Sequence, residues 1–239
     1  MLARLFGRPA PHRDAGDLNL VALLRPGDAQ AVTDAHLARG LGPFAVDLHV
    51  TAFDRLLRSP DIDILVEPIS YIAETDRLAG GPAGAVAVVD SVVAHGKLWL
   101  QEDDLRTYLA EAARMPDLGY NGAHPTANLA ETYNVLSRNL GFELTHRVGT
   151  WWMDLNGTGA FNASELWNLM ADGRAQFERL YAHPRPYRPE VAVIADAESI
   201  YYEKNDFDFL LWARAGLRNA IMATGTTVGF YSLEDFLDG

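Results

Sequence analysis

The chain has 239 residues, 49% of them hydrophobic, which is enough for one large domain or for one domain and part of another. Its 32 acidic and 20 basic residues give a formal net charge of −12, which argues against nucleic acids and anionic membrane surfaces as partners. Cysteine is absent, which excludes disulfides and thiolate metal sites. Without a secretion signal or a long apolar run, the sequence predicts a cytoplasmic protein.

Before residue 98, strand-like and helix-like patterns alternate. In chain order, the predicted elements are a buried strand at 18–24, a helix within 28–58, a buried strand at 61–68 and a loop at 79–84. Residues 85–97 fit either a helix or a strand. Gly96 favours a helix that ends there, because glycine is common just past helix C-termini.

From residue 98 to residue 182 the alternation continues. The predicted elements are a strand at 98–101, a helix or loop at 103–115, a helix marked by Leu129, Tyr133, Leu136 and Leu140, a strand at 148–155, and a helix marked by Leu166, Met170, Phe177 and Leu180. Gly141 lies near the expected end of the first long helix. Asn162, three residues before Glu165, predicts a capping box for the second.

Residues 183–190 (HPRPYRPE) contain three prolines and predict a linker, so we expect one domain at 1–183 and a second at 191–239, joined by 184–190. The second domain has a buried strand at 191–196, a helix within 206–222, and a strand and the start of a helix within 226–237. The repeated strand–helix order predicts an α/β fold with a parallel sheet. The second domain is too short to complete such a sheet.

The most informative segment is LWLQEDDLRT, residues 98–107, in which an apolar strand ends in Glu102, Asp103 and Asp104, followed by Arg106. Barrel enzymes present catalytic side chains at the carboxyl ends of their strands, so Glu102 is the leading candidate for catalysis. The open alternatives are a metal ligand or a helix cap, since acids favour the first turn of a helix. Repulsion among the three acids can raise a pKa, and Arg106 can offset this effect.

Two other strand ends carry residues that could line a cleft. Glu67 ends one strand and Tyr71 follows it, while Trp151, Trp152 and Asp154 end another. Aromatic rings suit the C–H face of a sugar, but neighbouring strand residues point to opposite sides, so one tryptophan should lie in the core. No zinc-binding HExxH, dinucleotide, phosphate-loop or nucleophile-elbow motif occurs, and we expect no metal and no cofactor.

Several motifs occur in a consistent order: SPDIDILVEPISY (59–71), GGP (80–82), DSVVAHGKLWLQEDDLRT (90–107), RNLGFEL (138–144) and TWWMDL (150–155). Together they resemble the later barrel strands of glycoside hydrolase family 42 β-galactosidases. VAVIADAES (191–199) resembles the opening strand of the flavodoxin-like trimerisation domain of that family. The resemblance covers roughly residues 45–239.

The resemblance implies a partial (β/α)₈ TIM barrel of a retaining glycosidase, with strands six, seven and eight at 61–68, 98–102 and 150–155. It implies that Glu102 is the nucleophile and that a galactoside-like carbohydrate is the substrate. The implied substrate-binding residues are Tyr71, Arg106, Trp152 and Asp154. It also implies that the full-length protein is a homotrimer.

The sequence departs from this family in one respect. The family acid/base residue follows strand four in an Asn-Glu dipeptide, which this chain lacks, and a barrel of about 250 residues cannot fit before residue 183. General acid catalysis contributes roughly 10²–10⁴-fold, so we expect a fragment with low activity by itself.

The first alternative is a non-catalytic carbohydrate-binding or assembly protein derived from the same barrel. A metal-dependent hydrolase that uses Glu102, Asp103 and Asp104 ranks last, because three consecutive residues cannot easily point at one ion.

Overall fold

A computed structural model of the chain describes residues 53–69, 80–85, 87–110, 125–154, 157–196 and 216–238. The predicted strand at 18–24, most of the predicted helix at 28–58 and Tyr71 lie outside these residues.

Helices and parallel strands alternate along the described chain. The helices are α1 (Phe53–Arg58), α2 (Val89–Ala94), α3 (Leu129–His146), α4 (Ser164–Ala182), α5 (Leu217–Met222) and α6 (Leu233–Asp238). The strands are β1 (Ile64–Pro68), β2 (Leu98–Asp103), β3 (Gly149–Trp152), β4 (Val191–Ala195) and β5 (Val228–Ser232). The predicted α/β class is therefore correct. None of these helices is both long and apolar enough to cross a lipid bilayer.

The strands form two parallel sheets in the described part of the chain, one with the order β1–β2–β3 and one formed by β4 and β5. In the larger sheet, Leu65 lies opposite Trp99, and Glu102 lies opposite both Pro68 and Trp151. Because all three strands run in the same direction, their carboxyl ends meet at one edge of the sheet.

The larger sheet has two different faces because the residues of β2 alternate in direction. The buried residues of β2 are Trp99, Gln101 and Asp103. Trp99 packs with Val89 of α2 and Phe142 of α3, so helices cover this face. The intervening residues, half-buried on the opposite face, are Leu98, Leu100 and Glu102.

One hydrophobic core cluster connects the two sheets. It contains Trp99 of β2 and Phe142 of α3 together with Val228 and Phe230 of β5. The predicted linker, 183–190, has no helix or strand, and its Tyr187 hydroxyl donates a hydrogen bond to the carbonyl oxygen of Val228 at 2.9 Å. The division into two domains at this linker stays a prediction.

Two predicted helix boundaries are wrong. The helix α3 continues past Gly141 because its buried side extends through Phe142 and His146, and it ends at Arg147 in the left-handed region with φ 61°. The predicted capping box at Asn162 does not form. Helix α4 begins one residue later, with Ala163 at its N-cap and no side-chain cap.

A capping interaction that was not predicted lies at the start of α3. The Asn128 Oδ1 atom accepts a hydrogen bond from the Glu131 backbone N–H at 2.9 Å, and Glu131 Oε2 accepts one from the Ala127 N–H at 2.6 Å. The first bond satisfies an amide group that the first turn of a helix leaves without an intrahelical partner, and the second joins the Glu131 side chain to the residue that precedes the N-cap.

The long helices α3 and α4 pack against each other around a second core cluster that includes Leu136, Leu140, Leu166 and Met170. Tyr133, which was predicted on the apolar face of α3, is exposed instead.

Candidate active site at the carboxyl ends of the strands

The backbone around Glu102 is held from both sides. The Ile69 N–H donates to the carbonyl oxygen of Glu102 at 2.9 Å, and the Met153 N–H donates to the carbonyl oxygen of Asp103 at 3.0 Å. These bonds extend the strand pairing to the last residues of β2. The strand is therefore two residues longer than predicted, and Glu102 and Asp103 belong to it.

The strand geometry directs Glu102 away from the helices. Its side chain lies on the same face as Leu98 and Leu100 and is half-buried. In the described strands, the other positions on this face carry no carboxyl group; they are Ile64, Val66, Pro68, Gly149 and Trp151.

Asp103 points in the opposite direction, into the space between β2 and α3. Its Oδ2 atom accepts a hydrogen bond from Asn139 Nδ2 at 3.0 Å, and its Oδ1 atom accepts one from the Leu105 N–H at 3.3 Å. Asp103 therefore attaches α3 to the end of β2. Because Glu102 and Asp103 lie on opposite faces, the two carboxylates cannot share one metal ion, which argues against the metal-dependent hydrolase.

Asp104 and Arg106 follow β2 in a buried loop. Asp104 is 3% exposed, and this burial raises its pKa to about 7, although a backbone hydrogen bond and the Arg106 guanidinium act in the opposite direction. Arg106 is itself 6% exposed, and its carbonyl oxygen accepts a hydrogen bond from the Thr126 N–H at 2.9 Å. A substrate-binding role for Arg106 stays a prediction.

The two adjacent tryptophans of β3 lie on different faces. Trp152 is in register with Asp103 and packs against the second core cluster. Trp151 is in register with Glu102 and is 38% exposed. Trp151 is therefore the aromatic residue on the Glu102 face. The sequence predicted that one tryptophan would lie in the core, but choosing between them required the register of β3 against β2.

Asp154 organises the loop that follows β3. Its Oδ2 atom accepts hydrogen bonds from the Gly159 N–H at 2.6 Å and the Ala160 N–H at 3.1 Å, and its Oδ1 atom accepts one from the Thr158 hydroxyl at 3.4 Å. Partial burial raises the pKa of Asp154, but these hydrogen bonds outweigh it and the net pKa is lowered. Its carboxylate therefore has a structural role in this loop, and contact with a substrate stays a prediction.

The remaining candidates contribute less to this edge. Glu67 is in register with Gln101, so it lies on the helix-covered face, and Tyr71 is outside the described residues.

Comparison of the chain with models of protein families, with curated proteins and with solved structures finds no match. The candidate site therefore depends on the geometry of this chain alone.

Proposed function

We propose that the chain carries the later strands of a retaining, β-galactosidase-like glycoside hydrolase barrel, with Glu102 as the nucleophile. The observation that carries the proposal is the position of Glu102. It lies at the carboxyl end of the central strand of three parallel strands, on the face away from the helices. In a (β/α)₈ barrel the helices cover the outside, so that face corresponds to the barrel interior, where substrates bind at the carboxyl ends of the strands.

In this mechanism, the Glu102 carboxylate attacks the anomeric carbon of a galactoside and forms a covalent glycosyl-enzyme. A second carboxyl group, about 5 Å away, protonates the leaving oxygen and later activates water. The Glu102 face of the described strands offers no such group. We therefore expect Glu102 to react with galactosides whose leaving group needs no proton, and to react poorly with alkyl galactosides.

By the same proposal, β4 and β5 belong to a flavodoxin-like trimerisation domain. Two parallel strands with intervening helical structure fit the start of such a domain. A homotrimer is the oligomeric state that this proposal expects.

The nucleophile is tested with 2,4-dinitrophenyl 2-deoxy-2-fluoro-β-galactoside. The fluorine slows hydrolysis of the intermediate, and dinitrophenolate departs without acid assistance. Mass spectrometry of the intact chain and of its peptides should find one fluorosugar on Glu102. The E102Q variant should remain unlabelled, whereas E67Q should be labelled like the wild type, because Glu67 ends the neighbouring strand on the other face. Absence of labelling in the wild type, or equal labelling of E102Q, would overturn the assignment.

A non-catalytic carbohydrate-binding protein is the second candidate, and the exposure of Trp151 beside Glu102 favours it. Binding of methyl β-galactoside, followed by NMR shifts of the tryptophan indole signals, separates the two functions. Binding that persists in E102Q, disappears in W151A and occurs without fluorosugar labelling would support the binding protein. Trp167, which is 59% exposed on α4, provides the matched control variant W167A.

A further inference from the structure

A group of buried polar side chains lies behind the Glu102 strand, on its helix-covered face. The members are Asp103 of β2, Asn139 and Glu143 of α3, and the buried hydroxyl group of the half-buried Thr150 of β3. Asn139 donates to Asp103 through Nδ2 and accepts hydrogen bonds from Arg138 through Oδ1, so both polar atoms of its amide take part in hydrogen bonds. Glu143 lies one helical turn further along the same side of α3, with only 1% of its surface exposed.

Glu143 differs from its neighbours because its carboxyl oxygens are unsatisfied. In the described part of the chain, neither Oε1 nor Oε2 has a hydrogen-bond partner, and the same is true of the Thr150 hydroxyl. Buried carboxylates normally accept several hydrogen bonds, because loss of hydration is otherwise too costly. An ionised Glu143 is therefore incompatible with this environment.

The charges around Glu143 do not stabilise an ionised form either. Burial raises its pKa well above the ordinary value and the Asp103 carboxylate raises it further, while the Thr150 side chain acts in the opposite direction and is the smallest of the three influences. No cation of the described elements lowers the pKa of Glu143.

The other charged groups on the surrounding elements are engaged elsewhere or exposed. Asp90 of α2 is paired with His146 at 2.9 Å, and Arg138 donates to Asn139 and to the carbonyl oxygen of Gly81. On β1, Glu67 is in register with Gln101, two residues before Asp103. Arg147, at the end of α3, donates to the carbonyl oxygen of Arg185. The charged residues of α4 are exposed; they are Glu165, Asp172, Arg174, Glu178 and Arg179.

We propose that Glu143 is held as a neutral carboxylic acid where α3 packs against the larger sheet. Glu143 then adds no negative charge near Asp103, whose carboxylate keeps its hydrogen bond from the Asn139 amide. When hydroxide removes the proton of Glu143, a second buried carboxylate forms near Asp103, and the two negative charges repel. Asp103 directly follows Glu102, so the neutral state of Glu143 also stabilises the strand end that presents Glu102.

The pH dependence of stability tests this proposal. A raised pKa in the folded state means that the stabilisation is complete below the pKa of the unfolded chain and is lost as pH rises toward the folded pKa. Relative to the neutral variant E143Q, the folded-to-unfolded ratio of the wild type should therefore fall by up to about tenfold per pH unit above about pH 5. The ratio is measured by urea denaturation with full-length chains.

Two other variants control the comparison. E143M is neutral and apolar and should behave like E143Q, which keeps the test valid if one substitution disturbs packing. E178Q removes an exposed glutamate of α4 and should follow the wild-type pH curve. If the stability of the wild type, E143Q and E143M changes with pH in the same way, the proposal is overturned.

Infrared spectroscopy detects the proton directly. The carbonyl stretch of a protonated carboxyl group should be present in the wild type at neutral pH and reduced in E143Q. If no such difference is found, the proposal is overturned. It is also overturned if Na⁺, Mg²⁺ or Ca²⁺ stabilises the wild type but not E143Q, because Glu143 would then be an ionised cation ligand.

Discussion

At the scale of the residue, Asp104 shows how strongly burial controls the ionisation of an acid in this chain. Asp104 is the last of three consecutive acids, and like charges beside an acid can raise its pKa whereas a nearby cation lowers it. Burial is nevertheless the largest cause of the shift of its pKa to about 7. Arg106 opposes this shift without cancelling it. Asp104 is therefore partly protonated at neutral pH, which is unusual for an aspartate.

We predict that Asp104 makes stability fall with rising pH. Its folded pKa exceeds the ordinary value of 3.8, so its contribution is complete below that value and is lost as pH rises through about 7. Between about pH 4 and about pH 8, the wild type should lose up to about 4 kcal/mol relative to D104N. Urea denaturation at several pH values measures this difference. D172N, at an exposed position of α4, should follow the wild type; if D104N does so too, the prediction is wrong.

The sequence identified the chemical types of the site residues but not their directions. It singled out Glu102, Asp103 and Asp104 because an apolar strand ends there. Their separation onto two faces and into a loop depends on where β2 ends, which depends on pairing with β1 and β3. Glu143 was missed because an acid in a helix looks like a surface residue unless the side that packs against the sheet is known.

At the scale of the element, helix ends were the least predictable feature. All five strands of the described chain lie where apolar runs predicted them, because strands that pair in a sheet carry a local pattern of apolar residues. The predicted burial of β4 is wrong, since its residues are half-buried or exposed. Caps depend on single residues whose backbone conformation is set by tertiary contacts. Asn162 and Asn128 both precede a glutamate by three residues, but only Asn128 caps a helix.

The contrast between these two asparagines yields a prediction. Removing the side chain of Asn128 leaves an N–H at the start of α3 without its partner, so N128A should lower the free energy of unfolding by about 1 kcal/mol. N162A should change it by less than about 0.5 kcal/mol. Chemical denaturation of both variants measures the difference. Equal losses would show that the cap contributes little.

Two helical glycines give a second matched pair. A Cβ atom added at Gly141 would meet nothing within 4 Å, whereas one at Gly173 would lie 3.0 Å from Leu140 Cδ2, where α3 and α4 approach closely. Alanine is the better helix former, so G141A should gain about 0.5–1 kcal/mol. G173A should gain nothing, because overpacking against Leu140 offsets the gain. Thermal or urea denaturation decides, and a larger gain for G173A would contradict this explanation.

At the scale of the whole molecule, the second sheet is attached to the first by both apolar and polar contacts. Phe230 of β5 lies 6.4 Å from Phe142 between ring centroids, and its N–H donates to Asp90 Oδ2 at 2.7 Å. The Ser232 N–H donates to the Ser91 hydroxyl oxygen at 2.9 Å. Buried hydrogen bonds of this kind fix the position of one element against another, because leaving them unmade is costly.

We therefore predict that the two sheets unfold together. F230A should lower stability by about 3–5 kcal/mol, since it removes a buried ring from the shared core. Four of the five tryptophans precede residue 183, so tryptophan fluorescence reports mainly on the part of the chain that contains the larger sheet. In F230A, the unfolding transition followed by tryptophan fluorescence should shift together with the transition followed by circular dichroism. In F236A, whose ring is 64% exposed, both transitions should remain unchanged. A fluorescence transition unaffected by F230A would indicate independent folding.

Successive side chains of β2 point to opposite faces of the sheet, and this alternation determines how the acidic end of the strand tolerates a change in length. Deleting one residue between Leu98 and Gln101 would move Asp103 into the place of Glu102 and Asp104 into the place of Asp103, so each face would keep a carboxylate. The carboxylate on the Glu102 face would then belong to an aspartate, whose side chain is one methylene group shorter than that of glutamate. Inserting one residue would instead put the Gln101 amide on the Glu102 face. The run of three acids therefore protects the strand end against shortening but not against lengthening.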